Sequence, residues 1–299
     1  MSREKFEETN FREATMDIIN QANSIIGEYT KAGYDLTLRQ LYYQFVARAV
    51  IPNTQREYQK LSVVISNARL AGLLDWDTIV DRTRHVRKNS HWDSPDDIID
   101  TCAKQFRIDT RENQDTYIEV WIEKDALIGI LKICDELDVS YLSCRGYVSQ
   151  SALYLAAKRF KYQERCGKET VLLHLGDHDP SGIDMSRDIQ DRLKMFGSTC
   201  TVKRIALTSA QVQAHNPPPN PAKLTDSRVG NYLANYGDKS WELDALDPKM
   251  ISQLIETEIT QLTDGLRWTA QLKKQAQHRK DLQKMSDNYA SIVTYLKTL

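Results

Sequence analysis

From Thr116 onward the sequence settles into a rhythm that few folds accommodate. Short apolar runs alternate with longer amphipathic ones: TYIEVWIE, DALIGILKICDELD, VSYLSCRG, SQSALYLAAKRFKYQERCG, TVLLHLGD, SGIDMSRDIQDRLKMFG and CTVKRIAL. The short runs have strand length and strand composition, and the long ones repeat apolar residues at helical intervals. Parallel strands need crossover connections, so this alternation predicts an α/β unit: a parallel sheet with helices packed on its faces. PPPNPAK at 217–223 ends the pattern and is predicted as an extended loop.

The residues before this unit read differently. Positions 6–29 carry apolar residues at helical intervals and close near Lys31-Ala32-Gly33, a C-cap sequence. TLRQLYYQFVARAVI follows, with Thr37 as predicted N-cap, an apolar face through Leu38, Leu41, Phe45 and Ala49, and a break at Pro52-Asn53. A third helix is predicted over 57–71, stopped by Gly72, and LLDWDTIVDRTRHVR then reads as a short strand or hairpin. Helix, turn, helix and a β wing make a winged-helix pattern, related to the helix-turn-helix readers of DNA. The predicted organisation is a helical, winged-helix-like part at 1–112, a parallel-sheet core at 113–215, and a loop with a helical extension at 216–299. The fold class is thus α/β combined with α+β. WELDALDPKMISQLIETEITQL and a long charged helix make up the extension, as a dimer contact or a cap on the sheet.

Composition narrows the function classes. With 41% hydrophobic and 27% charged residues the chain reads as soluble and globular. It has no apolar run of membrane-spanning length, and MSREKFEETNFRE is too charged for a secretory signal, so no membrane partner is expected. The five cysteines are scattered and odd in number, which points to a reducing cytoplasm rather than a disulfide framework or zinc site. A net charge of −1 provides no global basic footprint for nucleic acid. One local patch exists: DRTRHVRKNSHW holds Arg82, Arg84, Arg87 and Lys88 with no acid between Asp81 and Asp93. It is a candidate DNA-binding surface or an ordinary solvated loop. No GxxxxGK loop is present, so no ATP site is expected in this chain.

Three acids fall at the ends of predicted strands: Glu123 in WIEKDAL, and Asp177 and Asp179 in LGDHDPSG. Ligands of open parallel sheets bind beyond the carboxyl ends of the strands. If the two strands are neighbours, the three carboxylates converge on one crevice, as oxygen ligands for a hard divalent cation such as Mg2+, with Mn2+ as an alternative. The plainer reading is that Asp-Pro-Ser-Gly is a strand exit and helix start. His178 alternates away from the two aspartates on an extended chain, and His174 reads as structural. Lys124 reads as solvated or as facing phosphate.

IEVWIEKDAL followed by LGDHDPSGIDM resembles the toprim domain of topoisomerases, primases and some nucleases. The Asp-x-Asp-Pro-x-Gly form resembles more specifically the A subunit of topoisomerase VI and the related meiotic double-strand-break transesterase. In that family a winged-helix domain precedes toprim and carries a nucleophilic tyrosine in an Arg-x-x-Tyr-Tyr-like motif. LRQLYYQF, with Arg39, Tyr42 and Tyr43, stands in that place, and SCRGYVSQSA is similar to a Gly-Tyr-Pro segment except that Val148 replaces the proline. The resemblance spans roughly 36–207 and implies Tyr43 as nucleophile, Glu123, Asp177 and Asp179 as magnesium ligands with Glu123 also catalytic, and double-stranded DNA as substrate. It further implies a homodimer in which the tyrosine of one subunit meets the toprim site of the other, and a separate ATPase subunit of the B type. The shortness of the chain is similar to compact, free-standing A-like proteins of prokaryotes and mobile elements, which implies a location in the cytoplasm or nucleoid.

Arg39 and Tyr43 are four apart and share a face on a helix. There a guanidinium would hold a scissile phosphate bidentately and favour tyrosinate over phenol. Tyr42 points about 100° away, so one ring is expected in the core and the other at the surface. Three functions stay open: a magnesium-dependent DNA-cleaving transesterase, a toprim-type nuclease hydrolysing DNA or RNA with metal alone, and a non-catalytic DNA-binding protein.

Overall fold

The computed structural model describes residues 3–79, 89–221 and 229–299. Three helices come first: α1 (Glu13–Lys31), α2 (Leu38–Ala47) and α3 (Gln55–Leu70). α1 begins later than the periodicity predicts, because the chain before it is held against the end of α3. There Phe6 N and Glu7 N donate to the Leu70 carbonyl at 2.7 and 3.0 Å. α2 starts as predicted, in a reciprocal capping box between Thr37 and Gln40. It stops at Ala47, well before Pro52: Ala49 takes a left-handed conformation (φ 55) and the Val50 amide closes back on the Phe45 carbonyl at 3.0 Å. Gly72, at φ 73, ends α3 as the sequence predicts. Leu41, Phe45, Leu61 and Ile65 pack against Ile19 and Ile25 in one apolar core. Of the strand or hairpin predicted over 73–87, residues 73–78 instead form bends and turns, and Ile79 makes a single bridge to Leu36; 80–87 lie outside the described residues, and with them Arg82, Arg84 and Arg87, as does Lys88.

After α4 (Pro95–Gln105) the predicted alternation is realised. The strands β1 (Thr116–Ile122), β2 (Ser140–Ser143), β3 (Glu169–Leu175) and β4 (Thr201–Ala206) form one parallel sheet in the order β2-β1-β3-β4. The protein is therefore mixed α/β. The first crossover departs from expectation: a 3-10 stretch, Asp125–Leu131, precedes a short α5 (Lys132–Glu136). The 3-10 repeat aligns Leu127 with Ile130, and both enter the core. The later crossovers are full helices, α6 (Gln150–Arg165) and α7 (Pro180–Met195).

Alternation along β1 fills both faces of the sheet. Ile118, Val120 and Ile122 face one core, which α10 (below) completes, whereas Trp121 faces the other with Leu153 and Phe160 of α6. Glu119, only 2% exposed, is held on the α6 side by Arg159 at 2.9 and 3.0 Å and by the Tyr117 hydroxyl and Trp121 indole, each at 2.9 Å. A buried carboxylate is tolerated there because every lone pair it offers meets a donor.

Beyond β4 come α8 (Ser209–His215), β5 (Asn220–Pro221), α9 (Val229–Tyr236) and β6 (Lys239–Ser240), with β5 and β6 paired antiparallel. A strap, 241–247, then leads into α10 (Pro248–Gln261), whose Ile251, Ile255 and Ile259 cover one face of the sheet. The strap is wedged against the N-terminal helices: Ala245 enters their core and the Tyr29 hydroxyl donates to Asp247 at 3.0 Å. The predicted single C-terminal helix is two, α11 (Gly265–Asp287) and α12 (Tyr289–Leu296), interrupted at Asn288. α11 does not cap the sheet. It packs along α4, with Arg279 donating to the Phe106 carbonyl at 2.7 Å and Gln283 to Asp100 at 3.0 Å. No described helix is long and apolar enough to cross a membrane.

His174, next to the end of β3, is fully buried, as its structural reading implied. Its Nδ1 lies 2.8 Å from the Ser186 hydroxyl. Burial first, and the Arg204 charge second, hold its pKa down to about 3. A histidine kept neutral in the folded chain contributes stability that is complete above its unfolded pKa near 6.5 and is lost as pH falls towards 3. Urea unfolding at pH 7, 6 and 5 should therefore show stability falling with a His174 component of up to about 1.4 kcal/mol per pH unit. His174→Asn should remove that component; an unchanged slope in the variant would assign it elsewhere.

Candidate functional site

The strand adjacency that convergence required is present, and Asp177 and Asp179 reach one cleft, but Glu123 is not among the residues that line it. β1 and β3 are neighbours, with Ile122 opposite Leu175, so the chain leaves both strands at the same level. Glu123 Oε2 accepts a hydrogen bond from the Asp177 amide at 2.8 Å. Two glycines make this approach feasible. A Cβ on Gly176 would stand 2.9 Å from Glu123 Oε2, and one on Gly182 would stand 2.2 Å from the Asp177 carbonyl oxygen. Asp179 is both a member of the cluster and the N-cap of α7: its Oδ1 accepts from Gly182 N at 2.6 Å and Ser181 Oγ at 3.0 Å. The helix-start reading and the acid-cluster reading of Asp-His-Asp-Pro-Ser-Gly thus hold together.

Lys124, read from sequence as solvated or phosphate-facing, is not solvated but largely enclosed by acids. Its Nζ lies 3.0 Å from Asp177 Oδ2, 2.8 Å from Glu242 Oε2 and 3.1 Å from Asp244 Oδ1. The strap supplies two of these acids, and nothing in the periodicity of WELDALD marked them. The strap is sewn to the turn after β3 by backbone: His178 N donates to the Trp241 carbonyl at 2.8 Å, Trp241 N to the His178 carbonyl at 2.9 Å, and Leu243 N to Asp177 Oδ1 at 2.8 Å. His178 does point away from the aspartates. Its ring nitrogens lie 2.8 Å from the Tyr232 hydroxyl and 3.0 Å from Ser209 Oγ, so it braces the turn. Arg204 was also missed. From β4 it donates to the carbonyls of Gly176 and Gly182 at 2.8 Å and to that of Asp177, fixing the loop that carries the acids.

α2 faces this cluster. Arg39 bonds Glu242, and its Nε is 2.9 Å from Asp244 Oδ2, close enough for charge attraction but not aligned as a hydrogen bond. Its guanidinium is 5.7 Å from the centre of the Tyr43 ring, the shared helical face that the spacing predicts. Both tyrosines of the pair are buried, so the expectation of one core and one surface ring is corrected. The Tyr42 hydroxyl is tied to Asn53 at 3.0 Å and to the Thr54 carbonyl at 3.1 Å, which keeps it in the turn before α3. Arg39, Tyr43, Asp177, Asp179, Trp241 and Glu242 line a cleft of about 230 Å³. The resemblance places the tyrosine and the acids of one site on different subunits; here one chain brings them to one cleft.

Charge governs the chemistry. Burial, reinforced by Glu123, pushes the Asp177 carboxyl up to about 7, and burial raises that of Glu123 too, with Asp179 adding to the shift. Glu242 behaves oppositely: burial disfavours its charge, but Lys124 and Arg39 outweigh this and hold it down to about 2. Burial, then Asp244 and Glu242, push the Tyr43 phenol above its ordinary range, while Arg39 pulls the other way and is outweighed. The arrangement therefore keeps Tyr43 a phenol, correcting the expectation that Arg39 would favour the tyrosinate. Five carboxylates (Glu123, Asp177, Asp179, Glu242, Asp244) meet three cations (Arg39, Lys124, Arg204), an excess of two negative charges when all are ionised. Oxygen donors with that excess suit a divalent hard cation. Among the described residues no three His, Cys, Asp or Glu side chains are already arranged around an ion position. The Lys124 ammonium stands among three of the acids, and one oxygen of Asp179 serves as a cap.

No protein-family model, no curated protein and no solved structure matches this chain, so the site rests on its own geometry.

Replacing Lys124 by Met would leave Asp177, Glu242 and Asp244 without their shared cation. A loss of about 3 kcal/mol is expected in chemical unfolding in EDTA, the scale for removing one partner of a buried pair. Added Mg2+ should raise the melting temperature of Lys124→Met more than that of the wild type. Equal shifts would mean that the acids do not take up the ion.

Proposed function

We propose that this chain is a magnesium-dependent DNA-cleaving transesterase, built as a winged-helix module followed by a toprim-like sheet. The observation that carries the reading is the single cleft in which Tyr43 and Arg39 from α2 meet Asp177 and Asp179 from the end of β3. Nothing in the packing of a helical module against a sheet requires a tyrosine, an arginine and strand-end carboxylates to coincide. Double-stranded DNA is the proposed substrate, and Arg82, Arg84, Arg87 and Lys88 remain proposed contacts to its backbone. A homodimer would place two clefts on two strands. A separate B-type ATPase subunit would supply any ATP-driven strand passage.

In this reading Arg39 holds the scissile phosphate and the Tyr43 hydroxyl oxygen attacks phosphorus. A bond forms from phosphorus to the tyrosine, and the bond to the 3′ oxygen breaks, leaving a 5′-phosphotyrosyl link and a 3′-hydroxyl. The phenol proton passes to a carboxylate of the cluster, and the departing 3′ oxygen takes up a proton from solvent. Glu123, Asp177 and Asp179 are the residues that would hold Mg2+ or Mn2+, which when bound neutralises charge on the phosphate and the leaving oxygen.

One observation favours a second reading. Tyr43 is only 3% exposed and is held as a phenol, which suits a structural ring beside a hydrolytic nuclease site. Supercoiled DNA incubated with protein and Mg2+, then quenched in detergent, separates the two. The transesterase releases linear or nicked DNA from a protein-linked form only after protease, and Tyr43→Phe should lower that adduct by about a thousandfold or more. Adduct-free cutting that survives Tyr43→Phe but is lost in Glu123→Ala and Asp177→Ala would establish the nuclease instead.

A further inference from the structure

The strap that crosses the cleft carries two carboxylates with different surroundings, and the difference points to different jobs. Asp244 is fully buried and reaches both cations, 3.1 Å from Lys124 and 2.9 Å from Arg39. Glu242 reaches the same two cations with a single oxygen, Oε2, but from the open side: its side chain is 26% exposed, against 0% for Asp244. The cations it touches are also the partly exposed members of the cluster, at 42% for Arg39 and 20% for Lys124. Glu242 makes no cap bond to the 3-10 turn it precedes; besides the two cations it meets the Tyr43 hydroxyl and has a long contact of 3.5 Å to Asn220. Removing the Glu242 carboxylate would therefore leave each cation anchored by Asp244, with an anion-sized vacancy facing the cleft.

We infer that Lys124 joins Arg39 as a phosphate-binding residue, and that the Glu242 carboxylate occupies the phosphate's place until a phosphodiester displaces it. This rests on the proposed reading that the cleft takes nucleic acid. A guanidinium and an ammonium converging on one oxygen form the donor set that binds a phosphate oxygen, and a carboxylate is its closest side-chain substitute. Asp244 serves as the permanent counter-charge to both cations: Arg39, which lines the cleft, and Lys124, which lies behind Glu242 and is uncovered when that carboxylate leaves. Glu242 serves as the exchangeable one. Its cost to the enzyme is competition with substrate; its benefit is that two cations beside a buried phenol are not left uncompensated between substrates.

The consequence is a sign that a purely structural ion pair would not produce. Binding of a fluorescently labelled DNA duplex, measured by anisotropy in EDTA at fixed ionic strength, should tighten about tenfold in Glu242→Gln. Glu258→Gln is the charge-matched control, because Glu258 pairs with Lys203 at the far edge of the sheet. It should leave binding near that of the wild type. Adding Arg39→Gln or Lys124→Met to Glu242→Gln should abolish the gain, with folding of each protein checked by circular dichroism. Glu242→Ser serves as a second variant should the glutamine be poorly folded. Binding by Glu242→Gln that is equal to or weaker than wild type, or a gain matched by Glu258→Gln, overturns the inference. That failure is distinct from failure of the functional reading. If Arg39→Gln alone weakens binding and the Tyr43 adduct forms, the reading stands without the inference; if neither occurs, the reading itself falls.

Discussion

The ammonium of Lys124 is the interaction on which the rest of this site depends. It lies just beyond the end of β1, yet it holds Asp177 from the turn after β3 and Glu242 and Asp244 from the strap. Three segments far apart in sequence are thereby drawn to one point. Few single contacts could do this, because carboxylates gathered without a cation repel one another and burial worsens the repulsion. The raised carboxyl of Asp177 shows how little margin the cluster has even with Lys124 in place.

The strap is the second element of the design. Its backbone pairs with His178, its acids neutralise Lys124 and Arg39, and Ala245 inserts into the core of the N-terminal helices. It thus joins the sheet to α2 by three kinds of interaction at once. A local loosening of this segment would separate Arg39 and Tyr43 from the acids, so the geometry of the cleft is set by a piece of chain that contributes no regular structure beyond one 3-10 turn. The excess of negative charge explains why the segment is not merely a linker.

Much of the frame was legible beforehand. β1 to β4, α6 and α7 follow from alternating periods, and Thr37 and Gly72 mark helix ends through local backbone chemistry that sequence expresses directly. That Glu123, Asp177 and Asp179 stand at strand ends was legible, because strand-end position is itself a function of period. The partners of those acids were not. Lys124 looks like any lysine after a strand, and Glu242 and Asp244 lie in a segment whose pattern reads only as the approach to a helix. The buried state of both Tyr42 and Tyr43 was illegible for a related reason: a helix can be covered on two sides, and only the turn at Asn53 and the strap at Glu242 show what covers this one.

What the sequence determined by itself was the local grammar: which segments are strands, which are helices, where they start, and that carboxylates stand at strand ends. Those are properties of neighbouring residues, set by side-chain period and by caps within a few positions. The tertiary structure alone decided which charges meet. Lys124 lies about 120 residues before Asp244, and Arg39 about 200 before Glu242. Their pairing is settled by the order of strands in the sheet and by the path of the strap, and electrostatics at 3 Å has no signature in a one-dimensional pattern. The same Asp-His-Asp that sequence reads as a strand exit becomes, once folded, one wall of a charged cleft with an arginine and a tyrosine on the other.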